Sequence, residues 1–377
     1  MVVFPVLLYQ LIDLDKELQL QIELKEQAQD YIRSCLQIAQ VNGFLNLFHN
    51  QQQSFTSTNI KLKASPEQFP PTALHSDLSA TREQAKHNGW YIEPHEIELH
   101  EQIGQGTTAD IYRGTWRGLD VAVKCIFPQF FHSNQSGTNW FAQELNTLSR
   151  QRHPFVLRLL GACMDPPEYG WLVTEFFSEN TLKEWLHGNN KRCKERVVPL
   201  PPLEERIARG LEIAQAMQYL HEQKPKILHR DLKPSNIFLD DAMHIRVADF
   251  GHACFLQDGE WALTGETGTF VYMAPEVLKC EPYNEKCDVY SFAVILNELI
   301  TGQHPFINYD CGPTKIAIKV ATRNLRPTLP ENDGQFEELI DLIQQSWNND
   351  ASARPSFVII TKTLKRIQDR ISKKVEL

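Results

Sequence analysis

The chain reads as an α+β protein of two lobes, a small β-rich lobe followed by a larger, mostly helical one. Three observations carry this. Residues 98–128 alternate apolar and polar positions around a glycine cluster, the pattern of strands joined by a tight loop. After residue 203 the apolar positions Ile207, Ala208, Leu211, Ile213, Ala214, Met217 and Leu220 follow helical periodicity. A length of 377 residues with 42% hydrophobic content can bury a core large enough to divide in two.

Residues 1–49 carry Leu11, Leu14, Leu18, Ile22, Ala28, Ile32, Leu36 and Ala39 at roughly helical spacing among Gln, Glu, Asp and Lys. This predicts an amphipathic helix whose apolar face suits a coiled-coil or regulatory partner, or the chain's own domain; Lys25 interrupts a strict heptad. Residues 50–96 read as a linker, rich in Gln, Ser, Thr and Pro up to Lys86. The texture is then that of a compact domain. A helix is expected over 138–152, and strands at Val156 to Ala162 and Trp171 to Phe177.

The 23% charged content is ordinary, and the formal net charge of −9 argues against nucleic acid as the main partner, since phosphate backbones need a basic face. The cysteines (35, 125, 163, 193, 254, 280, 287 and 311) form no C-x-x-C pair and no zinc spacing, so they read as free thiols in a reducing compartment. No apolar run is long enough to span a bilayer. The apolar start, Met1 to Leu8, lacks a basic leader and a small-residue cleavage site, so no signal peptide is expected. A cytoplasmic location is the expectation, with a nuclear pool as the alternative.

Five motifs carry chemistry. In Gly104-Gln105-Gly106-Thr107-Thr108-Ala109-Asp110-Ile111, glycines let backbone N–H groups approach phosphate oxygens, although Ala109 stands at the third small position. Val121-Ala122-Val123-Lys124 ends an apolar strand on a lysine, which needs anions to meet; Glu144, on the following helix, is the expected protein partner. In His229-Arg230-Asp231-Leu232-Lys233-Pro234-Ser235-Asn236, the aspartate can take or orient a hydroxyl proton, the lysine can steady a transferring phosphate, and the asparagine can ligate magnesium. Asp249-Phe250-Gly251 supplies a second hard oxygen ligand for magnesium. Ala274-Pro275-Glu276, Asp288 and Arg354 read as architecture, with Glu276 and Arg354 as a buried ion pair and Asp288 holding catalytic-loop amides.

In this order and spacing the motifs resemble the eukaryotic protein kinase family over about residues 97–370. Trp116 to Lys124, Leu160-Gly161-Ala162-Cys163 and Thr269 to Glu276 resemble the plant Raf-like serine/threonine kinases of the tyrosine-kinase-like group. The resemblance implies the bilobal protein-kinase fold, with an N-lobe over 97–174, a hinge over 175–180, a C-lobe over 181–370 and a tail over 371–377. It implies ATP and Mg2+, with Mn2+ as a substitute, and a protein substrate. Ile103 to Thr107 would cover the phosphates; Ile111, Ala122 and Phe238 would sandwich adenine; Thr174 would be the gatekeeper before Glu175 and Phe177. Lys124, braced by Glu144, would hold the phosphates. Asp231 would be the base, Lys233 its neighbour, and Asn236 and Asp249 the metal ligands. Leu148, Leu159, His229 and Phe250 would stack as a spine. Lys233 and Thr269 resemble serine/threonine enzymes, and dual specificity is the alternative.

Regulation is partly legible. By the resemblance Arg230 would meet a phosphate on Thr264 or Thr267, but Cys254 stands where the family often has a second cation, which weakens the need for that phosphate. Lys191 to Arg196 looks like an insertion, read as a solvated loop or as a docking site for an acidic partner. Two rival readings are a nucleotide-binding pseudokinase scaffold and a small-molecule kinase. Lys124, Glu144, Asp231, Asn236 and Asp249 speak against the first. The Ala-Pro-Glu segment with Thr269, shaping a peptide groove, speaks against the second.

Overall fold

The computed structural model describes residues 78–106, 108–132, 135–177, 181–188, 196, 198–256, 269–309, 312–330 and 337–375. The small lobe is an antiparallel sheet of five strands, β1 (Ile97–Gln105), β2 (Ala109–Trp116), β3 (Leu119–Ile126), β4 (Leu159–Asp165) and β5 (Tyr169–Glu175), in the order β1-β2-β3-β5-β4. Alternation along β3 divides its side chains between two faces. Val121 and Val123 are buried on one face with Ile97, Cys163 and Val173, while Ala122 and Lys124 belong to the other. Arg117 and Gly118, both with positive φ (51° and 79°), make the two-residue turn between β2 and β3 that matches the strands' own twist. The helix expected over 138–152 runs Gln135–Ser149, and the two expected strands lie a few residues away, at β4 and β5. Val156 makes only an isolated bridge to Val247.

Residues 78–96, expected to belong to the linker, are folded onto this lobe. A helix, α1 (Leu78–His87), buries Ala85, and Arg82 pairs with Asp165 at 2.6 Å. The Tyr91 hydroxyl donates to Asp165 at 2.8 Å and accepts from Arg82 at 3.1 Å. The backbone then pairs alongside β4, with Ile92 N to Ala162 O and Ala162 N to Trp90 O both at 3.0 Å. A Cβ at Gly161 would stand 2.5 Å from both the Trp90 carbonyl and the Ile92 side chain, so glycine is what admits this segment. Composition pointed to a linker because only Ala85 and Ile92 are fully buried here, and their partners are distant in sequence.

Helices α2 (Pro128–His132) and α3 (Gln135–Ser149) follow β3; Phe141, Ala142, Leu145 and Leu148 of α3 face the core. The large lobe contains α4 (Leu182–His187), α5 (Leu203–Glu222), α6 (Pro275–Leu278), α7 (Lys286–Thr301), α8 (Pro313–Arg323), α9 (Glu337–Ser346) and α10 (Phe357–Val375). Helix α10 continues through the expected tail to Val375. Every residue of α7 from Cys287 to Ile300 is buried, which makes it the axis of the lobe. Its C-terminus stops at Gly302 (φ 64°), and Arg206 donates to the carbonyls of Leu299 and Ile300 at 2.7 and 2.6 Å. Arg196, expected in a solvated insertion, instead donates to Gly302 O (2.5 Å) and Leu186 O (2.8 Å). A helix end with free carbonyls attracts cations, which accounts for both arginines. Residues 191–195 lie outside the described residues, as do the helix expected over 1–49 and residues 50–77 of the linker.

Candidate active site

A cleft between the lobes is lined by Ile111, Ala122, Lys124, Glu144, Leu148, Leu157, Leu172, Thr174, Glu175, Phe177, Ser235, Asn236, Phe238, Ala248 and Asp249. Apolar walls lie toward Phe177 and Phe238, and charged groups gather around Lys124 and Asp249. Helix α3 places Glu144 under the sheet, where its carboxylate accepts from Lys124 Nζ at 2.7 Å; Asp249 lies 3.5 Å from the same nitrogen. Burial works against the Lys124 charge, but Glu144 and Asp249 outweigh it and raise its pKa above the ordinary lysine value. Burial likewise pushes Asp249 up, and Lys124 with the neighbouring cations holds it below the usual carboxylate range. Lys124 is therefore a retained cation at the end of an otherwise apolar cleft.

Sequence reasoning missed two residues that shape this corner. Trp140, one helical turn before Glu144, lies with its ring centroid 5.1 Å from Lys124 Nζ. A Cβ at Gly251 would stand 2.6 Å from that ring, so Gly251 permits the contact. Gln143 donates to Ala253 O at 2.6 Å and ties α3 to the segment after Asp249. Helical spacing sets Trp140 on the face of Glu144, but the partners of Trp140 and Gln143 lie on other elements that the sequence does not bring together.

Below the cleft lie two short antiparallel pairs, β6 (Lys226–Leu228) with β9 (Cys254–Leu256), and β7 (Ile237–Leu239) with β8 (Ile245–Val247). Asn236 immediately precedes β7 and Asp249 follows β8, so the Ile237–Val247 pairing sets these side chains near one another; Ala248 N also donates to Asn236 O at 2.9 Å. Asn236 Nδ2 donates to the Asp231 carbonyl (3.0 Å) and to its carboxylate (3.1 Å), which leaves the amide oxygen as the atom able to ligate a metal. The Asp231 carboxylate also accepts from Lys233 Nζ at 2.6 Å and from the Thr269 hydroxyl at 3.0 Å, and Lys233 donates to that hydroxyl at 2.8 Å. Three donors thus fix one carboxylate.

The loop carrying Asp231 is held from beneath. Asp288 is fully buried and accepts from the backbone amides of His229 and Arg230 and from His221 Nε2, each at 2.9 Å. Burial pushes its carboxyl up, but the bonds from His221 and the amides hold it below its ordinary value. Arg230 and Asp249 both have left-handed backbones, with φ 66° and 62°, which non-glycine residues adopt only under local constraint. The His229 ring donates from Nε2 to Ala248 O (2.9 Å) and packs 5.1 Å from the Phe250 ring; Leu148 and Leu159 are buried in the same core. Glu276 and Arg354 form the expected buried ion pair, and it is bidentate, at 2.6 and 2.8 Å.

Other expected site residues, Ile103, Gly104, Gln105 and Gly106 among them, are not among those lining the cleft. The register of β1 against β2 shifts between Leu99 and Gln102 and again between Gln102 and Gly104, and Ile103 is 45% exposed. Thr107, Thr264 and Thr267 lie outside the described residues. Arg230 donates to His252 O (2.5 Å) and the Tyr283 hydroxyl (3.1 Å), so protein groups already satisfy much of its guanidinium. Cys254 is buried in β9, where burial pushes its thiol up to about 11.

A five-stranded lobe above a helical lobe, with a lysine–glutamate pair across the cleft from an anchored aspartate loop, defines the bilobal protein-kinase fold. The chain belongs to the protein kinase family: the model of the protein kinase domain matches residues 97–365. Among its relatives, the Arabidopsis thaliana serine/threonine-protein kinase STY46 is 34% identical over 288 residues, which are 76% of this chain and 47% of that protein. The serine/threonine-protein kinase CTR1 of the same plant is 33% identical over 316 residues, 83% of this chain and 37% of that protein. The probable serine/threonine-protein kinase drkC of Dictyostelium discoideum is 35% identical over 278 residues, 72% of this chain and 35% of that protein. The match thus spans less than half the length of each of these relatives. No helix among the described residues is long and apolar enough to cross a membrane.

Proposed function

We propose that this chain is a protein serine/threonine kinase that transfers the γ-phosphoryl group of ATP to a protein hydroxyl. The observation that carries this reading is the Asp231–Lys233–Thr269 cluster, in which one carboxylate is aligned by a hydroxyl at 3.0 Å and an ammonium at 2.6 Å. The substrate oxygen attacks the γ-phosphorus, the bond to the β–γ bridging oxygen breaks, and the substrate proton passes to Asp231. Lys233 neutralises charge that develops on the transferring group. Lys124, held by Glu144, meets the α- and β-phosphates, and Ala122, Ile111 and Phe238 enclose the base. Thr174 and the Glu175–Phe177 hinge border the cleft, and the resemblance alone assigns the β1–β2 turn, with Ile103, Gly104, Gln105, Gly106 and Thr107, to the phosphates. The Asn236 and Asp249 oxygens suit Mg2+, with Mn2+ as a substitute; when bound, the ion screens the phosphate charge.

The relatives' names, and the placement of Thr269 against both Asp231 and Lys233, favour serine/threonine over tyrosine as acceptor. The resemblance of Trp116 to Lys124, Leu160 to Cys163 and Thr269 to Glu276 supports the Raf-like subgroup, and a cytoplasmic signalling role is part of the same reading. The intact set of Lys124, Glu144, Asp231, Asn236 and Asp249 favours catalysis over a pseudokinase scaffold. The partner role of residues 1–49 rests on their apolar spacing alone. The test is transfer of labelled phosphate from ATP with magnesium to a basic protein, by wild type and Asp231→Asn, followed by identification of the labelled amino acid. Label on serine or threonine that falls at least about 100-fold in the variant is expected. No transfer with ATP binding intact would favour the scaffold.

A further inference from the structure

Away from the cleft, three side chains from separate parts of the large lobe converge on one point. Helix α4 ends on His187, α7 carries Glu298, and His304 follows the Gly302 stop of α7. His187 Nε2 lies 2.8 Å from Glu298 Oε1, and His304 Nδ1 lies 3.5 Å from the same oxygen. The donor atoms of all three lie within 4.8 Å of one another. The side chains are 7%, 0% and 12% exposed, so the cluster is nearly closed to solvent. The two imidazoles stack at 3.7 Å with 24° between their planes. The other carboxylate oxygen accepts from the Tyr272 hydroxyl at 2.8 Å.

Two stacked imidazoles both aim a nitrogen at one buried oxygen. Without a metal the His187 nitrogen, 2.8 Å from the carboxylate oxygen, donates its N–H to it; a metal would take that proton's place and receive the nitrogen lone pair. Two imidazole nitrogens and one carboxylate oxygen form a ligand set that suits zinc and its neighbours among the divalent metals. Bonds of about 2.0–2.1 Å in a tetrahedron place ligand atoms roughly 3.3–3.5 Å apart. The His304–Glu298 separation of 3.5 Å is at that spacing, the His187–Glu298 contact of 2.8 Å is a hydrogen-bond distance that a metal would lengthen, and the rings must part from their 3.7 Å stack to place both nitrogens on one ion. The Tyr272 hydroxyl supplies the outer bond that commonly fixes a ligating carboxylate.

We propose that His187, Glu298 and His304 form a three-ligand site for a divalent metal ion of the zinc class, completed by water. The site would join α4, α7 and the segment after Thr269. Because Tyr272 lies three residues beyond Thr269, the metal would brace the segment that holds Asp231. The chemistry is distinct from the magnesium site in donor type: two nitrogens here, oxygens only at Asn236 and Asp249.

The test strips the full chain of metal, adds zinc, and measures retained zinc by atomic absorption beside thermal unfolding. Cobalt(II) in place of zinc reports coordination through its visible spectrum. One retained equivalent and a raised unfolding temperature are expected in wild type and in His95→Gln, an exposed histidine control. His304→Gln, at the least buried ligand, should lose that equivalent and the intense low-coordinate cobalt band, as should His187→Gln. Circular dichroism of each variant checks that it is folded, and none of the readouts requires phosphate transfer. Zinc retained equally by both variants, or no zinc retained by wild type, overturns the site and leaves the trio a hydrogen-bonded brace.

Discussion

Removal of the Asp288 carboxylate should cost stability and catalytic order together. Asp288 accepts from two backbone amides and one histidine in a fully buried position. In Asp288→Ala the amides of His229 and Arg230 lose their acceptor, at about 1–3 kcal/mol each. Arg230, with φ 66°, can then relax, which returns roughly 1–3 kcal/mol of backbone strain. The net expectation is a loss of about 1–3 kcal/mol, and about half of that for Asp288→Asn, which keeps one acceptor oxygen. Urea unfolding followed by intrinsic fluorescence, beside steady-state phosphate transfer, measures both consequences. Because the folded-state pKa of Asp288 is depressed, its contribution is present above the ordinary carboxylate value of about 3.9 and is lost as pH falls through the lower folded value. The stability gap between wild type and Asp288→Asn should therefore close below about pH 4. An Asp288→Ala variant within about 0.5 kcal/mol of wild type, with transfer unchanged, would refute the anchoring argument.

Thr269→Val removes the hydroxyl shared by Asp231 and Lys233 and should lower kcat by about 10–100-fold, whereas Thr269→Ser should retain most activity; equal rates for the two would count against the alignment role. Gly161→Ala forces a Cβ against the Trp90 carbonyl and should cost about 1–3 kcal/mol, with faster proteolysis near residue 90, and an unchanged cleavage rate would contradict the seating of Trp90–Ile92. Arg354→Lys gives up the bidentate contact to Glu276 in a buried site and should destabilise by about 3–5 kcal/mol, read from the denaturation midpoint; a shift under about 1 kcal/mol would mean that the pair is solvated.

The large-lobe site was legible because its chemistry sits in short, contiguous strings. Asp231, Lys233 and Asn236 lie within one loop, and a single hairpin brings Asp249 to them. The glycine-rich turn was legible as a motif, but its placement depends on irregular register in β1, which alternation alone does not encode. Trp140 and Gln143 were hidden for a different reason: their partners, Lys124 and Ala253, lie on other elements. The same holds for His221 under Asp288. Residues 78–96 were read as linker because polar composition outweighed two buried positions, and the partner of one of them, Ile92, is supplied by β4.

The pairing of Trp90–Ile92 along β4 also determines where the domain can be cut. The family match begins at residue 97, yet a fragment started there would leave β4 as an open sheet edge and uncover the slot over Gly161 that Ile92 fills. An exposed strand edge beside a fresh apolar patch is a template for pairing with other chains. A fragment that starts at or before Leu78 carries its own cover and should remain monodisperse at concentrations where the shorter one associates.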